Sequence, residues 1–186
     1  MNKNFVIKGH ICYSQDKSTL KVYENSYLVC VNGKSKGIFE NLPSEYKDLP
    51  LKDYGDKLII PGMVDLHVHA PQYAFRGMCM DLELMDWLNQ YTFPEEEKYT
   101  NLDYAKKAYS IFTKALKNSA TTRACIFATR HRDATVLLME LMEETGLVSY
   151  VGKVNMDREA SKALIEESAE ASAYNTFGWI NSVHNK

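Results

Sequence analysis

The chain has 186 residues, 45% of them hydrophobic and 25% charged, with a formal net charge of -2. That is ordinary globular composition with enough apolar mass for a core, and it excludes the basic footprint of a nucleic-acid or anionic-membrane binder. Cys12, Cys30, Cys79 and Cys125 show no C-x-x-C spacing, which argues against a disulfide scaffold and for a reduced, intracellular protein.

The opening "MNKNFVIKGHICYSQDK" lacks the apolar core and small-residue cleavage site of a signal peptide. No run of about 18 apolar residues occurs to span a bilayer, so cytoplasm is the expected compartment. Residues 1–60 are expected to form a small β-rich domain, incomplete in itself. "FVIKGHICY" and "TLKVYENSYLVCVNGKSKGIFE" are rich in Val, Ile, Tyr and Phe, and "VNGKSKG" carries an Asn-Gly hairpin signal. "LPSEYKDLPLKDYGDK" is expected to be a polar connector.

A second domain is expected over 61–186. "KLIIPGMVDLHVH" is a buried-strand candidate, followed by an irregular stretch from Ala70 to Asn101. Leu102, Ala105, Ala108, Tyr109, Phe112 and Leu116 then recur at helical spacing. "TTRACIFAT" (121–129) predicts a strand, and "DATVLLMELMEETG" a helix with Asp133 as N-cap and Gly146 beyond its end. "LVSYVGKVNMD" predicts another strand and "SKALIEESAEASAYNTFGWINSV" another helix. This β-α-β-α-β-α order argues for a parallel sheet with helical crossovers. No G-x-G-x-x-G turn follows the first strand, which disfavours a dinucleotide-binding fold. A (β/α)8 barrel instead places chemistry at the C-terminal ends of its strands, and there "HVH" stands.

Strand side chains alternate faces, so Asp65, His67 and His69 point the same way, with rises of about 3.3 Å per residue. Two imidazoles so placed can tilt toward one metal ion. Asp65, one step deeper, is a candidate partner that orients an imidazole. A lone histidine is more often a buried core group; two at i and i+2 at this end of a strand favour a ligand pair. The cytidine-type zinc deaminase signature, H-x-E followed by P-C-x-x-C, is absent.

"PGMVDLHVHAPQYAFRG", "DLELMDWLNQYTFPEEEKY", "TTRACIFATRH" and "VGKVNMD" resemble the amidohydrolase superfamily and, in detail, its guanine deaminase branch. The resemblance implies an α/β fold: an incomplete (β/α)8 barrel, its first three β-α units, preceded by part of a small β-sandwich domain. It implies zinc as cofactor, with His67 and His69 as metal ligands, and guanine as small-molecule substrate, met by His69 and Gln72. In that family a zinc-activated water attacks C2 of guanine and expels ammonia to leave xanthine, and the full-length enzyme is a homodimer. An amide at Gln72 suits a ring edge carrying both donors and acceptors, although a loop glutamine can instead be satisfied by backbone.

The remaining polar and aromatic residues stay open to two readings. Arg76 can meet a purine or pair with Asp81 or Glu83. Trp87, Tyr91 and Phe93 can wall a pocket or fill a core. His131 is read as a rim or hydrogen-bonding residue, and His10 and His184 have no motif around them. The family's other ligands, two histidines and an aspartate, come from later strands, with the proton-shuttling glutamate beside one of them. Beyond Asp157 the only histidine is His184, and no H-x-x-E occurs. No catalytic residue is therefore expected within this chain; the glutamate is expected beyond Lys186, and the chain to be inactive alone. The alternatives are a related amidohydrolase acting on a pterin or triazine, and an inert or complementing fragment.

Overall fold

The computed structural model describes residues 3–184. They form two compact units, one up to Pro61 and one from Gly62 onward.

The first unit is one four-stranded sheet in the order β3-β2-β1-β4, built from β1 (Phe5–Ser14), β2 (Leu20–Val31), β3 (Lys34–Phe39) and β4 (Leu51–Ile59). β1 and β2 pair antiparallel, as do β2 and β3 through the expected Asn32–Gly33 turn, whose residues have φ of 54° and 74°. That left-handed pair matches the twist of the strands it joins. Val6, Ile11 and Val29 are buried. The expected polar connector is corrected here: Leu51–Ile59 pairs parallel with β1. Its alternation was masked by charged residues on a largely exposed edge strand, where side chains need not be apolar.

The second unit holds a three-stranded parallel sheet, β5-β6-β7, from β5 (Met63–His69), β6 (Thr121–Phe127) and β7 (Val148–Gly152). The single strand expected over 57–69 is thus two, broken at Ile60–Pro61–Gly62. A β-carbon at Gly62 would fall 2.1 Å from Thr122 Cγ2, so only glycine admits that approach to β6. The stretch from Ala70 to Asn101 is also more ordered than expected. It contains a 3-10 turn at Pro71–Phe75, the short helices α1 (Leu84–Trp87) and α2 (Phe93–Glu97), and a π-type turn at Leu88–Thr92 between them.

Helix α3 (Leu102–Lys117) is capped by Asn101, whose side chain accepts from the backbone N–H groups of Asp103 and Tyr104 at 2.9 and 3.1 Å. It buries Ala105, Tyr109, Phe112 and Leu116 against Ala124 and Ile126 of β6; Leu102, by contrast, is exposed. Helix α4 (Arg132–Glu143) adds Ala134, Leu138 and Met142 to the same core. Full burial of one such leucine stabilises the fold by about 1.5–3 kcal/mol. Asp133 is not the N-cap: His131 holds that position and Asp133 lies in the first turn, where its charge still favours the helix dipole. The last helix, α5 (Ala169–Val183), starts later than expected, capped by Ser168. The segment before it is held by a buried ion pair, Lys153–Glu166 at 3.0 Å, with side chains 1% and 2% exposed. All four cysteines are free thiols, and no helix among the described residues is long and apolar enough to cross a membrane.

Candidate metal centre

His67 and His69 project from the last turns of the pleat in β5, and their Nε2 atoms are 3.1 Å apart. Two imidazoles bound to one tetrahedral zinc at about 2.0–2.1 Å stand roughly 3.3 Å apart, so the pair is already converged for a shared ion. Burial, and then the proximity of His67, lowers the His69 pKa; this favours the neutral imidazole that metal binding requires. His69 Nδ1 is buried without a partner. Phe127 lies opposite His69 in the parallel register, its ring 4.6 and 4.8 Å from the His67 and His69 rings. Asp65 accepts from the backbone N–H of His67 at 3.1 Å, so it fixes the strand at the ligand pair rather than touching an imidazole.

Gln72 follows on the 3-10 turn Pro71–Phe75. The turn is anchored on both sides: Ala70 N–H donates to Phe127 O at 3.0 Å, and the buried Tyr99 hydroxyl donates to Pro71 O at 3.3 Å. Gln72 is half-buried, and its amide has no hydrogen-bond partner among the described residues. Arg76 makes no ion pair with Asp81 or Glu83. Its Nη1 donates to Tyr73 O at 2.9 Å and its guanidinium stacks 3.8 Å over the Tyr73 ring. Trp87 and Tyr91 gather on Phe75, with ring centroids 5.4 and 6.4 Å away, and Phe93 is buried. His131 holds the N-cap position of α4, and burial lowers its pKa. His10 Nδ1 accepts from Asn25 N–H in the first unit, and His184 ends α5.

The donor set fits part of a zinc site. Two neutral-capable imidazoles converge, yet no group of three or more His, Cys, Asp or Glu able to hold a metal occurs among the described residues. A catalytic zinc needs three protein ligands and one open position.

A strand ending in a convergent H-x-H pair, with α-helical crossovers after it, coincides with a match of residues 58–179 to the model of the amidohydrolase family. The chain belongs to the amidohydrolase family. This amidohydrolase is 39% identical over 145 residues to the guanine deaminase of Rattus norvegicus, covering 77% of this chain and 31% of that one. It is 35% identical over 170 residues to the guanine deaminase of Escherichia coli K12, covering 90% and 38%. Its fold superposes on a crystal structure of guanine deaminase from C. acetobutylicum with guanine bound in the active site. There the TM-score is 0.91 with 41% identity, over 98% of this chain and 43% of that one. The amidohydrolase chain thus spans less than half the length of these relatives.

Reading the sequence alone missed Phe127 and Tyr99. Phe127 becomes visible only through the β5–β6 register. Tyr99 sits in "PEEEKYT" with no periodic signal, and its hydroxyl reaches back 28 residues.

Proposed function

We propose that this chain carries part of the active site of a zinc-dependent guanine deaminase, which converts guanine and water to xanthine and ammonia. The observation that carries the reading is the converged Nε2 pair of His67 and His69, followed three residues later by an open amide on an anchored turn. The guanine deaminase relatives support the same substrate.

In this reading His67 and His69 hold the zinc together with ligands from outside the described residues. Bound zinc supplies Lewis-acid activation of water at neutral pH. Asp65 holds the strand, Phe127 fixes both rings and excludes water from one side of the pair, and Gln72 orients the purine by donating and accepting at its ring edge. The sheet β5-β6-β7 forms the first three units of a (β/α)8 barrel, and the first unit contributes to a small β-sandwich. Val64 and Leu66 of β5 and Tyr150 of β7 are exposed, Leu66 by 77%. Parallel sheets are normally covered on both faces, so this exposure supports further barrel units above it. The complete enzyme is then a cytoplasmic homodimer.

The test is to express this chain within a protein of its relatives' length and assay guanine, a pterin and a triazine in parallel. Chelator-sensitive formation of xanthine from guanine supports the reading. Turnover of another heterocycle with guanine left intact overturns it.

A further inference from the structure

The C-terminal ends of β6 and β7 and the helix α5 enclose an open cleft of about 430 Å³. Arg130, His131 and Arg132 line one wall, and Tyr174 and Phe177 of α5 the other. Buried polar atoms in folded proteins almost always have partners. Two adjacent residues here break that rule: Arg130 Nε and His131 Nε2 are both buried without a hydrogen bond. Neither Arg130 nor Arg132 forms an ion pair among the described residues.

The acid of the cleft, Glu166, cannot neutralise them. Its carboxylate already accepts from Lys153 Nζ, Asn175 Nδ2, Ser172 Oγ and the backbone N–H of Met156. Lys153 is cancelled by the same contact. What remains is a positive wall of two guanidinium groups facing two aromatic side chains that are 80% and 66% exposed.

We propose that this cleft binds a nucleoside monophosphate, with the phosphate on Arg130 and Arg132 and the base against Tyr174 and Phe177. Guanidinium groups match phosphate oxygens in a bidentate fork, and aromatic faces accept flat bases by stacking. His131 Nε2 accepts from a phosphate O–H when the ring is neutral and donates when it is protonated. The volume exceeds what one oxyanion fills, which favours the nucleotide over free phosphate.

Calorimetric titration of this chain within a protein of its relatives' length, with guanosine 5′-monophosphate, guanosine and inorganic phosphate, decides the matter. The nucleotide is expected to bind at least tenfold more tightly than either part. Arg132→Gln, on an exposed side chain, and Tyr174→Ala should each weaken it by tenfold or more, while Arg130→Gln should abolish it. The proposal is overturned if the nucleotide does not bind, if Arg132→Gln leaves its affinity unchanged, or if inorganic phosphate binds as tightly.

Discussion

His67 Nε2 and His69 Nε2 stand 3.1 Å apart with Phe127 against both rings, a spacing that fits two ligands of one ion. A catalytic zinc needs a third protein ligand, and no such cluster occurs among the described residues. The 186-residue chain by itself should therefore form no xanthine from guanine, with or without added zinc. A spectrophotometric assay of the purified chain checks this, and chelator-sensitive turnover would show that two histidines suffice.

Gln72 should separate substrate recognition from metal binding. In a protein completed to the relatives' length, Gln72→Ala should keep its zinc and lose kcat/KM for guanine. The loss of a buried hydrogen-bond partner costs about 1–3 kcal/mol, or roughly tenfold to a hundredfold. Zinc content by atomic spectroscopy, measured beside the kinetics, distinguishes the two roles.

Glu96 should make stability fall as pH rises through neutrality. It is 5% exposed, and burial pushes its carboxyl up to about 7. Between the unfolded value near 4.5 and the folded value near 7, the native state binds the extra proton. The contribution is therefore full at the low end of that window and lost at the high end, about 3 kcal/mol in all. Urea unfolding at pH 5 and pH 8 should show this slope, and Glu96→Gln should flatten it. Glu166 acts in the opposite sense at lower pH. Burial works to raise its carboxyl, but donors from Ser172, Lys153 and Asn175 outweigh that and hold it down.

The exposed face of β5 should drive association. Val64 and Leu66 lie uncovered on it, and a parallel edge strand offers unpaired backbone to another chain. Size-exclusion chromatography of the 186-residue chain should show oligomers, and Leu66→Asn should shift the elution toward monomer. A sharp monomer peak for the unaltered chain would mean that the fold is self-sufficient.

What the sequence made legible follows the strength of its periodic signals. Ala105, Tyr109, Phe112 and Leu116 lie one helical turn apart and all are buried as their spacing predicts. The alternation in "VDLHVH" put both histidines on one face without any knowledge of the sheet. β4 escaped notice because "LKDYGDKLI" carries its charges on an exposed edge, where no apolar face is enforced. Asp133 was a natural cap by residue type, yet the helix begins two residues earlier, with His131 at the cap position. Arg76 had two acidic neighbours in sequence but stacks on Tyr73 instead, with its guanidinium also donating to the Tyr73 carbonyl. Contacts that join distant segments, such as Tyr99 to Pro71, leave no local trace.

The claim that His67 and His69 serve one metal ion is tested most directly by zinc titration of the 15N-labelled chain, followed through its imidazole resonances. The account predicts that the Nε2 signals of His67 and His69 move together and saturate at one zinc per chain. His10, His131 and His184 should stay in place. Movement of only one of the pair, or no movement of either, would contradict it.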